Sequence, residues 1–290
     1  MEVFVASALV GVVVGALSGL LGIGGGTLMV PIFRLGFGMT ALESTATSLF
    51  TIVPTSLVGF ATHIKNKTCI PRVGVVCGLA GALTSPAGVI LAGRSPATMM
   101  ASLSPAWLVM LAAALIVAYS SVSMFRKAIR MPKVAATAGT PLEEGAEEVA
   151  KENEEKLPEF AFTKKRVAQA IAIGLGAGLA SGYVGVGGGF IMVPLFLSVL
   201  GIMMRQASGT SLVAVTILAV PGVITQVMLG NVDFIAGIAM AAGSIPGAIL
   251  GANLTRIVPE RQLRFAFGTF LLVSAVALFG NEIAVALGLM

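Results

Sequence analysis

Three consecutive glycines occur twice inside strongly apolar stretches, as Gly24, Gly25 and Gly26 and again as Gly187, Gly188 and Gly189. Glycine adopts positive φ at little steric cost and lets other backbone, or a ligand, come close. A helix restarting at Thr27 or Phe190 would present unpaired N–H groups and the positive end of its dipole, an arrangement that binds anions. Hydroxyls follow each cluster: Thr45, Thr47, Ser48 and Thr51 after the first, Ser208, Thr210 and Ser211 after the second. A hydroxyl donates to an oxyanion without adding a fixed charge. Both features also have a plain structural reading. Small residues let membrane helices pack closely, and Ser or Thr commonly bonds the carbonyl of the preceding turn.

Duplication favours the site reading. The segments SGLLGIGGGTLMVPIF (Ser18–Phe33) and SGYVGVGGGFIMVPLF (Ser181–Phe196) stand 163 positions apart, and the ungapped alignment from Ser18 to Leu49 holds 14 identities in 32 positions. Each cluster is followed by a proline, Pro31 or Pro194, and the pairs Thr47–Ser48 and Thr210–Ser211 are identical between copies. A repeated break in an apolar segment is the best sequence pointer to a transporter's binding site, because backbone leaves the helix inside a membrane only where protein or a cavity surrounds it.

The elements that must position these residues are membrane helices. Hydrophobic residues make up 57% of the chain and charged residues 11%, against about 25% charged in soluble domains. Mean hydropathy is +0.99. Apolar stretches lie at about 3–36, 45–62, 73–93, 103–125, 166–200, 208–229, 234–255 and 265–288. The first and fifth are too long for one span of ~20 residues, so each reads as a helix, a break and a shorter helical piece. The N-terminal run lacks a basic flank and reads as a retained span rather than a cleaved leader. The expected fold is an all-α polytopic membrane protein of two repeats, 1–130 and 164–290, joined by a linker at 131–163. That linker carries eight of the thirteen acidic residues and reads as a solvated tether with at most a transient helix at 142–156.

Loop charge gives an orientation. Arg126, Lys127, Arg130 and Lys133 precede the linker and Lys164, Lys165 and Arg166 follow it, which puts it in the cytoplasm. Walking outward from there puts both termini outside. Each broken segment must return to the side it entered from, and the two enter from opposite sides, so the expected repeats are inverted in topology. Each would hold a glycine-broken, re-entrant or discontinuous helix followed by three transmembrane helices. Arg34 and Arg94, both placed outside, run against the rule.

The single candidates are weaker. His63, the only histidine, aligns with Gln226, and Glu43 aligns with Gln206. His63, Gln226, Glu43, Arg34 and Arg205 are the candidate gating or coupling residues; Arg34 and Arg205 end the broken elements as entrance residues. No carboxylate sits mid-span, so a proton relay of buried acids is missing. Trp107 reads as an interface anchor. Two cysteines without CxxC spacing, and no Met-rich cluster with His or Cys, argue against a metal site or cofactor. The net charge of +5 comes from segment ends, with no basic stripe for nucleic acid. No HExxH motif, intramembrane Asp pair or Ser–His pairing supports an enzyme.

The paired GxGGGxxxxP elements (Gly22–Pro31 and Gly185–Pro194), the Thr–Ser pairs and the charged central linker resemble the sulfite exporter TauE/SafE family. The resemblance implies a plasma-membrane permease, a secondary transporter exporting sulfite or organosulfonates such as sulfoacetate by alternating access. An anion channel of the same architecture, or a permease for another small anion, is the alternative. The implied substrate site comprises Gly24, Gly25, Gly26, Thr27, Thr47, Ser48, Gly187, Gly188, Gly189, Thr210 and Ser211. Partners are a small anion and the lipid bilayer, with monomer and homodimer both open.

Overall fold

Long apolar runs rich in Leu, Val and Ala, with charges confined to their ends, can satisfy their backbone in a membrane only as helices. The computed structural model describes residues 2–93, 126, 129 and 162–272. Helix α1 (Glu2–Leu21) ends at the first break, and α2 (Gly26–Pro31) follows it, running into a π-helical turn at Ile32–Gly36. Then come α3 (Ala41–Lys65) and α4 (Pro71–Gly93). The order repeats as α5 (Lys164–Val184), α6 (Gly189–Leu195) with a π turn at Phe196–Leu200, α7 (Met204–Met228) and α8 (Phe234–Ile257). A further helix, α9, begins at residue 260 and is described through 272. Among the described residues five helices, α3, α4, α5, α7 and α8, are long and apolar enough to cross a membrane. The span expected at 103–125, Trp107, nearly all of the linker and the end of the last span lie outside the described residues.

Both π turns follow a proline, Pro31 or Pro194, whose missing N–H interrupts the regular ladder. Helix α3 starts one turn before the expected 45. Thr40 and Glu43 form a reciprocal cap, with the Glu43 N–H donating to Thr40 Oγ1 (3.3 Å) and the Thr40 N–H to Glu43 Oε2 (2.9 Å). The pattern T-x-x-E is visible in the sequence.

Small residues set how the helices pack. Gly243 lies on Ala8, Gly247 on Val12 and Ala16, and Gly251 on Ala16 and Leu20, so α1 and α8 run parallel in close backbone contact. Gly174, Gly178 and Gly182 meet Cys77, Gly81 and Ser85, so α5 and α4 are parallel as well. Helix α3 runs parallel to α8: Thr51 bonds Gly237, Thr55 bonds Ser244 and Asn66 bonds Ala252. Helix α7 runs parallel to α4, with Gly74 against Val213, Gly78 against Ile217 and Gly222 against Ser85. Between α3 and α7 the sense reverses: Leu49 faces Gly222, Gly59 faces Leu212, and His63 faces Gly209.

Candidate functional site

The α1 helix closes with the Gly22 N–H on the Ser18 carbonyl, and α5 closes with the Gly185 N–H on the Ser181 carbonyl, both at 2.8 Å. The chain then turns back through positive φ. Gly25 (φ 84°) and Gly188 (φ 69°) cap α2 and α6, and neither new helix receives a side-chain cap. Only glycine takes these angles cheaply, which explains the clusters.

The two breaks meet. A Cβ on Gly26 would sit 2.7 Å from the Val186 backbone, and one on Gly189 would sit 2.6 Å from the Gly22 carbonyl oxygen and 2.8 Å from Ile23 Cα. The contacts are reciprocal, since Gly26 and Gly189, like Ile23 and Val186, stand 163 positions apart. Gly24 and Gly187 both lean on Ile52 and Val215, fully buried side chains near the midpoints of α3 and α7. The breaks therefore converge halfway along the two longest helices.

The repeated Thr–Ser pairs hold this junction together across the halves. Ser48 Oγ donates to the Gly185 carbonyl (3.0 Å), and Ser211 Oγ donates to the Gly22 carbonyl (2.5 Å). Thr47 Oγ1 accepts the Asp233 N–H (3.0 Å), and Thr210 Oγ1 accepts the Ile70 N–H (2.9 Å). Each serine thus satisfies a carbonyl freed by the other half's break. Each threonine satisfies an amide just ahead of the other half's α8 or α4. All four side chains are fully buried. Thr210 and Ser211 also bond a carbonyl of the preceding turn, at Gln206 and Ser208, as the plain reading has it, and the bonds across the halves come in addition.

Three buried hydroxyls beside the breaks have no partner at all: Ser18, Thr27 and Ser181. Ser18 packs on Gly25, with its Cβ 3.5 Å from where a Gly25 Cβ would lie. Ser18 and Ser181 open the two repeated segments, so the alignment contained them, but only the fold reveals them as unpartnered.

The remaining candidates occupy helix ends. His63 is fully buried, its Nε2 2.8 Å from the Gly19 carbonyl and its Nδ1 2.7 Å from Thr68 Oγ1. Facing a carbonyl, Nε2 must donate, so the ring is the Nε2–H tautomer with both nitrogens satisfied. Gln226 reproduces half of this: its Oε1 accepts from Asn231 (2.8 Å), while Nε2 is buried without a partner. Glu43 is the exposed capping carboxylate of α3. Arg34 lies half-buried in the first π turn. Arg205 is buried, with Nη2 donating to the Val258 carbonyl (3.0 Å), and beside it Glu260 accepts from Met204 N and from Arg264. Among the described residues no three His, Cys, Asp or Glu side chains gather to hold a metal. Burial pushes the Cys69 thiol, in the α3–α4 connection, up to about 11, so it is protonated and unreactive near neutrality.

Such a junction is a pair of uncapped half-helices, lined by hydroxyls and amides and free of fixed charge. Residues 7–278 match the profile of the family described as Sulfite exporter TauE/SafE. The chain is 26% identical over 253 residues to the "Probable membrane transporter protein YdhB" of Bacillus subtilis, covering 87% of this chain and 90% of that one. It is also 26% identical over 290 residues to a "Probable membrane transporter protein" of Haemophilus influenzae, covering 93% and 96%. No solved structure matches the chain significantly.

Proposed function

The chain belongs to the sulfite exporter TauE/SafE family of membrane transporters, and on that premise we propose that it is a secondary transporter that exports small sulfur-containing anions. Sulfite and organosulfonates such as sulfoacetate are the substrate class. The anion binds where the breaks of the two halves meet, against Gly24 to Thr27 on one side and Gly187 to Gly189 on the other, and leaves by alternating access. The observation that carries this reading is the reciprocal contact of the breaks, Gly26 on Val186 and Gly189 on Ile23. It makes one junction out of two motifs, halfway along the spans, with amides and hydroxyls suited to an oxyanion.

Helix directions support inverted-topology repeats. Chained together, the parallel pairs make α1, α3 and α8 run one way and α4, α5 and α7 the other. Each of these helices then opposes its counterpart 163 residues on. Because α1 and α3 run the same way, residues 22–40 bring the chain back to the side where it entered, as a re-entrant piece does. Loop charge puts the 131–163 linker in the cytoplasm and both termini outside. Thr47, Ser48, Thr210 and Ser211 frame the site by bracing its backbone.

The test is flux in proteoliposomes. Sulfite or sulfonate efflux should saturate and be accelerated by anion on the opposite side. Folded Gly25→Leu and Gly188→Leu proteins should lose it, because both positions need positive φ. Wild-type flux in either variant would refute the site.

A further inference from the structure

Buried Ser and Thr hydroxyls in this protein follow a rule. Ser44, Thr45, Thr51, Thr55, Thr210 and Thr255 each donate to a carbonyl four residues back. Others bond a carbonyl three residues back (Ser56, Ser208 and Ser244) or reach across to the other half (Thr47 and Ser48). The rule is thus that each finds a partner, and Ser18, Thr27, Ser85 and Ser181 break it. Ser85 belongs to α4, where its side chain is wedged against Gly222 and its carbonyl meets Gly182, so it lies beside the second broken segment but is not part of it. The other three flank the breaks. Thr27 sits in the first turn of α2, where no helical turn precedes it to accept a bond. Ser18 has a preceding turn and does not use it. An unsatisfied buried hydroxyl is costly, so three on the two broken segments point to a ligand that completes them.

Resting on the transport reading above, we propose that Ser18, Thr27 and Ser181 bind the transported anion directly, and that the site takes it as a monoanion. The second half of the proposal follows from charge. Hydroxyls and amides lower the cost of burying a negative charge but do not cancel it, and that cost grows as the square of the charge. Of the titratable groups on the elements around the breaks, His63 and Tyr183 come nearest, beside Ser18 and Ser181, and the rest lie at helix ends. His63 bonds Gly19 through Nε2 and Tyr183 sits near the end of α5. Glu43 and Lys65 end α3, Arg205 starts α7, Lys164 to Arg166 start α5, and Arg34 lies in the π turn. Hydrogen sulfite and a simple alkanesulfonate fit such a site; sulfite dianion, sulfate and sulfoacetate, which is doubly charged at neutral pH, do not, so the monoanion narrows the substrate class given above. The site is also lopsided, since Phe190 replaces Thr27 in the second half. Two hydroxyls against one orient the anion's oxygens toward Ser18 and Thr27.

The experiment is ligand-induced thermal stabilisation of the purified full-length protein by sulfite and by methanesulfonate, with Ser18→Ala, Thr27→Val, Thr27→Ser and Ser181→Ala. Each hydroxyl-deleting variant should bind about ten-fold or more weakly, the loss expected for one hydrogen bond to a charged ligand. Thr27→Ser should restore binding. Without ligand these variants should melt at or above the wild-type temperature, because an unsatisfied buried group has gone. A lower unliganded melting temperature would mean the hydroxyls are structural and would overturn the proposal, as would unchanged affinity. Sulfite affinity should fall as pH rises through the second ionisation of sulfurous acid, while methanesulfonate affinity stays flat. A flat sulfite profile overturns the monoanion, and parallel profiles for both ligands would assign the titration to the protein. If wild-type protein binds neither anion, the transport reading itself fails.

Discussion

Replacing Gly26 or Gly189 by alanine tests the meeting of the breaks most directly. Neither glycine has positive φ, so alanine meets no backbone strain at these positions. Each starts a helix, where alanine is otherwise favoured over glycine by about 1 kcal/mol. The obstacle at Gly26 is the Ile52 side chain, which can shift, and the backbone across the junction, which cannot. The new methyl of Gly26→Ala would lie 2.7 Å from Val186 Cα and C, whereas ordinary contact begins at 3.4 Å, so the breaks must part by about 0.7 Å. Overpacking of this kind costs about 1–3 kcal/mol, so the net loss of stability is at most about 2 kcal/mol and the protein still folds. A separation of that size at the binding junction should nevertheless reduce flux strongly, because substrate positioning tolerates little displacement.

The assay is proteoliposome flux beside thermal unfolding of the same preparations. Gly176→Ala is the control: nothing lies within 4 Å of its Cβ, so it should leave flux unchanged and raise stability slightly. The double variant Gly26→Ala with Gly189→Ala should lose less than the sum of the singles, since one displacement makes room for both methyls. Full flux and unaltered stability in Gly26→Ala would show that the breaks do not touch.

Ser48→Ala and Ser211→Ala each leave a buried carbonyl unsatisfied and should lower stability by about 1–3 kcal/mol in chemical unfolding, with Ser→Thr failing to rescue because the site is closed. His63→Gln should keep flux and its pH profile, because His63 pins α3 to Gly19 and the other half uses Gln226 at that position; a lost pH dependence would restore a coupling role. Glu43→Gln should likewise transport normally at all pH values, at a cost of about 0.5–1 kcal/mol in stability from a weakened cap. Gly15→Leu and Gly178→Leu, whose side chains would enter the backbone of α8 and α4, should abolish folded protein in fluorescence size-exclusion profiles.

The glycine breaks were legible because their causes are local: a cluster that permits positive φ, a proline that ends the ladder, and a stretch too long for one span. Helix boundaries at Ala41 and Met204 were less so, since reading them needs a cap rather than hydropathy, although T-x-x-E at Thr40 was there to be seen. The Thr–Ser pairs stood out by their repetition, but the bonds they make across the halves could not be read. Whether a hydroxyl meets a ligand or a carbonyl depends on what another segment, more than a hundred residues away, brings to it. The same holds for Gly11, Gly15 and Gly19, whose spacing marks a packing face without naming α8 as its partner. Glu43 shows the converse error of attention: a carboxylate beside a span suggests coupling until its bonds to Thr40 are drawn.

The reciprocity of the braces bears on how such a carrier would move. Helices α1, α3 and α8 form one parallel group and α4, α5 and α7 the other, so each spatial group borrows its last helix from the opposite half of the sequence. Rocking between the groups would therefore not separate the sequence halves; it would act across the α3–α7 contact and the breaks. Two of the cross-braces span that boundary at opposite ends. Ser48 holds Gly185 near the start of α3, and Ser211 holds Gly22 near the start of α7, which runs the other way. Opening on one side must stretch the first bond and opening on the other side the second, while Ile52 and Val215 stay closed between them. The duplicated serines would thus place one strained bond on each side of such a carrier, beside the Thr216–Ser56 bond at the middle of the boundary and the Arg205–Val258 bond at one end.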